Sequence, residues 1–159
     1  GKIGAVGVSN FTVAQTRALA AHLKAPLVST QPEFSPLALA PLFDGTLDLA
    51  MEMGQAVLGW SPLGQGRLGD GDPRPGRRQA EDERLIRVKA ALAAHGHRFG
   101  VGIAATAYAW ILAHPAGITP IVGSQNPARI AEAADAFKVN FTRAEWYAIL
   151  VASLGENLP

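Results

Sequence analysis

Short apolar runs alternate with helical segments four times along this chain, and that order constrains the fold more than any single motif. The runs cover residues 3–8, 27–31, 55–60 and 118–122 and lack the regular apolar–polar alternation of a half-exposed strand. Such runs are typical of parallel strands covered on both faces. Strands that alternate with helices predict an α/β fold built on a parallel sheet.

Capping and stop residues predict where the helices begin and end. Asn126 followed by Pro127 is a strong start signal, and Thr142 with Glu145 three residues later forms a capping box. Glycines near residue 96 predict a break between two helices. The predicted helices cover residues 13–23, 46–53, 83–94, 103–114, 127–136 and 143–154.

Composition excludes several classes of protein. The formal net charge of +1 gives no broad attraction to nucleic acid or to an anionic membrane. The chain has no cysteine, which excludes disulfides, thiolate catalysis and cysteine-ligated metal sites and is compatible with a reducing cytoplasm. No apolar run approaches the roughly 18 residues of a membrane span. The start, Gly1-Lys2-Ile3 without a methionine, predicts that the chain belongs to a longer protein.

The residues that follow the strands are polar or glycine-rich, and they differ from strand to strand. Right-handed crossovers place the carboxyl ends of parallel strands at one edge of the sheet, where α/β folds bind ligands. We call this edge the rim. It contains Ser9, Asn10, Gln31, residues 60–66, Gly123 and Ser124. The segment that follows, residues 64–83, is rich in Gly, Pro, Asp and Arg and predicts a long mobile loop.

The rim side chains suit a neutral, planar ligand that carries phosphate. Ser9, Asn10 and Gln31 offer both donors and acceptors, as a primary carboxamide requires. Trp60 offers a flat face for stacking a ring. In residues 61–64, glycine lets backbone N–H groups approach a diphosphate. No metal site is predicted.

The last strand–helix unit has features of an anion site. The helix that begins at Pro127 presents free N–H groups and the positive end of its dipole. Ser124 and Arg129 add a hydroxyl and a planar guanidinium for phosphate. Glu132 can accept a hydrogen bond from an exocyclic amine. Together the four strand ends describe a site for a nicotinamide dinucleotide.

Each part of this site also has an ordinary structural explanation. A serine and an asparagine after a strand commonly form a turn and a helix cap. Arg129 and Glu132 can be a surface pair only, and Gln31 and Trp60 can be core side chains. The agreement of four strand ends favours the common site.

Four segments, in this order, resemble the aldo-keto reductases. They are GKIGAVGVSNF, QPEFSPL, GWSPLGQGRL and ITPIVGSQNPARIAEA, and the likeness extends over residues 1–159, closest to a bacterial oxidoreductase branch. The resemblance implies one partial domain: the C-terminal half, strands five to eight, of a TIM-type (β/α)8 barrel with a terminal helix. Such a half-barrel has two open edges and one uncovered face.

The resemblance also implies NADP as cofactor. Ser9, Asn10 and Gln31 match the residues that hold the nicotinamide carboxamide, and Trp60 matches the one that stacks on the ring. The residues implied along the pyrophosphate are Ser61, Pro62, Leu63, Gly64, Gly66 and Arg67. Those implied at the adenosine end are Gly123, Ser124 and Arg129 near the 2′-phosphate and Glu132 at the adenine. Gly123 stands where the family often has a lysine, and Ala133 where it often has an asparagine, so NAD remains an alternative.

We assign no catalytic residue, because the family's catalytic Asp, Tyr, Lys and His all match positions before Gly1. The four histidines fall on predicted helices or their ends, and Tyr108 and Tyr147 lie within helices. The chain is thus interpreted as the cofactor-binding half of a cytoplasmic NAD(P)H-dependent reductase of small aldehydes or ketones. The alternative is a non-catalytic dinucleotide-binding or regulatory module. A third hypothesis is a half-barrel that pairs with itself.

Overall fold

The four predicted strands form one parallel sheet, and their order in the sheet is the same as their order along the chain. The computed structural model describes residues 1–69 and 83–157. The strands are β1 (Val6–Ser9), β2 (Leu27–Gln31), β3 (Ala56–Gly59) and β4 (Thr119–Pro120). The helices are α1 (Val13–His22), α2 (Thr46–Met53), α3 (Glu83–His97), α4 (Ile103–Leu112), α5 (Pro127–Ala134) and α6 (Arg143–Leu154), with 3-10 turns at Ala40–Leu42 and Asp135–Lys138. The predicted alternation of strands and helices is confirmed.

Local capping explains why most predicted helix ends are correct. The Asn126 carboxamide oxygen accepts from the Ala128 N–H at 2.9 Å, directly before Pro127. The Thr142 hydroxyl and the Glu145 carboxylate form the predicted capping box at the start of α6. These signals depend on residues within one turn of each other, and they are therefore readable from the sequence.

Most predicted elements differ from the structure by a few residues at their ends, and two differences, in β4 and α3, change the interpretation of the sequence. Strand β4 has two residues rather than the predicted five, and its pairing with β3 ends at the hydrogen bond from the Ile121 N–H to the Gly59 carbonyl. Helix α3 continues through Gly96 to His97 instead of ending near residue 94. Gly96 is buried, and a Cβ placed there would lie 2.2 Å from the Thr106 Oγ1 of α4. This glycine serves a close helix contact rather than a helix stop.

Aromatic rings fill the core between the sheet and α4 and α6. The Phe34 ring, just after β2, stacks on Trp110 with centroids 5.6 Å apart, and Trp110 stacks on Trp146 at 4.6 Å. The two indoles each donate to the other's backbone carbonyl, at 3.0 and 2.9 Å. Eight of the ten residues of α4 are buried, in agreement with its predicted packing against the sheet.

Strands β1 and β4 are the two edges of the sheet within the described residues. Several apolar side chains are exposed: Val28 is 42% exposed, Ile121 37%, Ile130 48% and Phe137 80%. A four-stranded parallel sheet with helices in the connections is consistent with part of a barrel. No helix within residues 1–69 or 83–157 is long and apolar enough to cross a membrane.

Candidate cofactor-binding site

The carboxyl ends of β1 and β2 bring three of the predicted site residues together. Ser9 and Gln31 are register partners in the parallel ladder. The Ser9 hydroxyl donates to the Gln31 backbone carbonyl at 3.0 Å, and the Asn10 N–H donates to the same oxygen at 3.2 Å. Ser9 and Asn10 are exposed and Gln31 is half-buried, so their side chains border open space at the rim.

Trp60 joins this group through its indole. Its Nε1–H donates to the Asn10 Oδ1 at 2.9 Å, although the residues lie 50 positions apart. Two backbone hydrogen bonds hold Trp60 in place. Its N–H donates to the Pro32 carbonyl at 3.0 Å, and its carbonyl accepts from the Phe34 N–H at 3.2 Å. The half-buried ring therefore has a fixed place at the rim.

Unusual backbone angles occur at the rim. Asn10, Ser61 and Gln65 are the non-glycine residues of the described chain with positive φ, at 56°, 55° and 62°. Asparagine tolerates this left-handed conformation better than most residues, whereas serine and glutamine are less suited to it. Strained backbone tends to occur at functional sites, where the surrounding structure holds it. The sequence does not reveal this feature.

The segment after Trp60 forms consecutive turns, in which most backbone N–H groups donate to carbonyls of the same segment. The N–H groups of Gly64, Gly66 and Arg67 donate to the carbonyls of residues 61, 63 and 64 at 2.8, 3.1 and 3.3 Å. The Ser61 Oγ accepts from the Gln65 N–H at 2.9 Å. The expected contact between glycine amides and a diphosphate therefore does not follow from this conformation. Because the Ser61 hydroxyl accepts here, its own proton is available to a ligand.

The structure gives a packing explanation for glycine at position 64. Its φ is +54°, and a Cβ there would lie 2.8 Å from the Leu37 Cδ1. The glycine lets the turn pack against Leu37, rather than only opening space for a ligand. Of the predicted 64–83 loop, residues 64–69 form turns, Glu83 begins α3, and residues 70–82 lie outside the described residues.

The residues predicted at the adenosine end lie around the start of α5. The Ser124 Oγ accepts from the Asn126 N–H at 3.1 Å, which shapes the turn into the helix. Gly123 and Arg129 are exposed, and Glu132 is half-buried. Burial, with the Glu132 charge as a second cause, raises the pKa of Tyr108 above its ordinary value. The carboxylate of Glu132 thus lies near α4 as well as near the surface.

The two groups of predicted residues are connected through the sheet. The N–H of Ile121, just after β4, donates to the Gly59 carbonyl at 2.8 Å, one residue before Trp60. The segment leading to Ser124 therefore starts beside the strand that carries the indole. The sequence predicted that all four strand ends share the rim, and the structure places β3 and β4 side by side in the sheet.

The ionisable rings of the chain lie mainly in helices or their packing. Tyr108 is 5% exposed, and His95 stacks on Phe141 with centroids 4.0 Å apart. His114 contacts the Phe34 and Trp146 rings, and burial lowers its pKa while Asp48 acts in the opposite direction. These positions agree with the packing roles expected for them.

A groove of about 880 Å³ lies away from the rim. Its walls include Phe43, His114, Arg143, Trp146 and Tyr147. The rim side chains are absent from this lining as far as the described residues show.

Comparison with known proteins decides the family. The model of the Aldo/keto reductase family matches residues 1–152. The chain belongs to the aldo/keto reductase family. The resemblance inferred from the four sequence segments is thereby confirmed.

Curated relatives in the aldo/keto reductase family match the whole chain. It is 49% identical over 159 residues to a protein named 6-dehydroglucose reductase from Novosphingobium aromaticivorans, covering 100% of this chain and 49% of that protein. It is 35% identical over 160 residues to the uncharacterized oxidoreductase YcsN of Bacillus subtilis, covering 100% and 50%. The chain thus spans about half the length of these relatives.

Solved aldo/keto reductase structures have the same fold. The thermostable aldo-keto reductase Tm1743 aligns with a TM-score of 0.75 at 22% identity, over 93% of this chain and 48% of that one. Aldose reductase from Giardia lamblia aligns with a TM-score of 0.73 at 23% identity, over 98% and 46%. These similarities support a partial TIM barrel.

Proposed function

We propose that this chain is the cofactor-binding half, strands five to eight, of an NADP-dependent carbonyl reductase. The single observation that carries the proposal is the hydrogen-bonded group of Ser9, Gln31, Asn10 and Trp60 at the carboxyl ends of three strands. It combines neutral donors and acceptors with an aromatic plate. A nicotinamide ring with its carboxamide requires both.

The cofactor would supply the hydride, and the rim residues would bind and orient it. The Ser61 hydroxyl proton and the side chain of Arg67 are the donors proposed for the pyrophosphate, with Pro62, Leu63, Gly64 and Gly66 shaping the turn. The basis for Ser61 is its acceptor contact with the Gln65 N–H, which leaves the hydroxyl proton for a ligand.

The adenosine end would lie at the start of α5. Ser124 and the exposed Arg129 would hold a 2′-phosphate beside the positive end of the helix dipole, and Glu132 would accept from the adenine amine. Gly123 contributes no charge. Because Arg129 is the one cation that this segment offers to the 2′-phosphate, we propose a moderate preference for NADP over NAD.

The proposed substrate is a small polar aldehyde or ketone. A relative that is 49% identical is named 6-dehydroglucose reductase, so an oxidised sugar is the first substrate to test. Transfer of hydride to the carbonyl carbon needs a proton for the oxygen. We propose that this proton comes from a residue outside the chain, in the cytoplasmic enzyme to which the chain contributes.

Two measurements test the function in sequence. NADPH is titrated into the protein while tryptophan fluorescence is followed, with Trp60→Ala as the control that removes the plate. Absorbance at 340 nm is then followed after addition of 6-dehydroglucose or another small aldehyde. Oxidation of NADPH supports a reductase. Binding without turnover is the result expected of a half that lacks the proton donor, and also of a non-catalytic dinucleotide module, so those two are separated by repeating the assay with a longer protein that contains this chain. A wild-type protein that binds neither NADPH nor NADH contradicts the proposal.

A further inference from the structure

The Trp60 indole determines which way the Asn10 amide faces. An asparagine amide has an oxygen that accepts and an NH₂ that donates, and a half-turn exchanges the two. Indole Nε1–H can only donate. The contact of 2.9 Å therefore places the Asn10 oxygen toward Trp60 and leaves the NH₂ group for another partner.

Both ends of this hydrogen bond are held by backbone contacts. The Asn10 N–H is bonded to the Gln31 carbonyl, and the Trp60 N–H to the Pro32 carbonyl. The left-handed φ of 56° at Asn10 further restricts the direction of its Cα–Cβ bond. The orientation of the amide is thus a property of the folded chain and does not need a ligand to create it.

Ser9 has the opposite polarity at the neighbouring position. Its hydroxyl proton is engaged with the Gln31 carbonyl at 3.0 Å, so its lone pairs remain for a ligand. The rim therefore offers an acceptor at Ser9 and a donor at Asn10. A primary carboxamide matches this pair in one orientation only, with its oxygen toward Asn10 and its NH₂ toward Ser9.

This inference rests on the proposed function. We propose that Trp60 is a positioning residue that acts through Asn10, in addition to stacking on the nicotinamide ring. Because Trp60 fixes the Asn10 amide, the site favours a ligand ring whose carbonyl oxygen lies beside the Asn10 NH₂. The carboxamide of the ligand then has a single orientation. The ring then presents one chosen face to the substrate. Trp60→Phe keeps an aromatic plate and removes the donor, so it separates the two roles.

The test is a double-mutant cycle with two ligands. Trp60→Phe, Asn10→Gly and the double variant are compared with the wild type by calorimetric titration of NADP⁺ and of 2′-phospho-ADP-ribose, which lacks the nicotinamide ring. Glycine accepts the positive φ at position 10 without strain. We expect Trp60→Phe to weaken NADP⁺ binding about five- to tenfold, the range of one hydrogen bond. Binding of 2′-phospho-ADP-ribose should not change, and Trp60→Phe should have no further effect on NADP⁺ once Asn10 is glycine.

A second measurement does not depend on replacing Trp60. The Trp60 indole N–H resonance of the ligand-free protein should move upfield in Asn10→Gly, because its acceptor is lost. An unchanged resonance overturns the positioning role. So does an equal effect of Trp60→Phe with and without Asn10, since that loss would come from stacking alone. If NADP⁺ does not bind the wild type at all, the proposed function fails together with this role.

Discussion

Replacement of Gly96 by alanine tests the contact that lets α3 and α4 cross closely. In an exposed helix, Gly→Ala stabilises by up to about 1 kcal/mol, because alanine has the higher helix propensity. Here the added Cβ would lie 2.2 Å from the Thr106 Oγ1 and 2.8 Å from the Val101 carbonyl oxygen. Overpacking of this kind typically costs 1–3 kcal/mol. We therefore expect the free energy of unfolding to fall by about 1–2 kcal/mol, opposite in sign to the propensity effect.

Urea unfolding followed by far-UV circular dichroism measures this change, with Thr106→Ala as the matched variant. Thr106→Ala removes the nearest clashing atom at the cost of the hydrogen bond from its hydroxyl to the Gly102 carbonyl at 2.8 Å. Gly96→Ala should cost less in that background, although the Val101 carbonyl still opposes it. A Gly96→Ala protein as stable as the wild type, or more so, would show that the helices can separate freely and would refute the close-contact explanation.

Three other outcomes are expected. Arg129→Ala should weaken NADPH binding about ten- to a hundredfold and leave NADH binding nearly unchanged, since a charge-assisted hydrogen bond is lost; equal losses in the two titrations would contradict the 2′-phosphate role. The Arg98 side chain, followed by the Thr142 backbone, lowers the pKa of Glu145 from 4.5 to about 2. Stability from this group is present above pH 4.5 and is lost as the pH falls toward 2, so Glu145→Gln should flatten the acid limb of the unfolding curve. If the isolated chain pairs with itself, it should sediment as a dimer or larger species, because within the described residues β1 and β4 end the sheet and Phe137 is exposed; a monodisperse monomer would argue against self-pairing.

Most of the fold was predictable because its signals are local. The start of α5 at Asn126 and Pro127 depends on atoms within one turn. The alternation of strand and helix predicts a parallel sheet, and the observed strand order agrees with the barrel that the resemblance implies. The prediction was wrong where a distant partner decides. Gly96 is typical of a helix stop until Thr106 is placed against it. Strand β4 pairs with β3 over fewer residues than its apolar run suggests.

The neighbourhood of the site was predictable, but its hydrogen bonding was not. Parallel topology alone brings Ser9, Gln31 and Trp60 to one rim. The link from Trp60 to Asn10 spans 50 residues and depends on the exact direction of an indole. The turns after Ser61 likewise engage amides that a glycine-rich sequence suggests are free for phosphate. Composition indicates which groups are present, whereas the backbone path decides which of them still have a proton or a lone pair to offer.

The stacked pair of Trp110 and Trp146 has an optical consequence. Their rings are nearly parallel, at 6°, with centroids 4.6 Å apart, while Trp60 lies at the rim. Two indoles this close share their electronic excitation and should give a paired positive and negative band in circular dichroism, which vanishes when α4 and α6 separate. The isolated indole at the rim should contribute a separate emission signal. The stacked pair of tryptophans thus reports on the folded core, and Trp60 reports on the rim. Both signals can be measured on one sample.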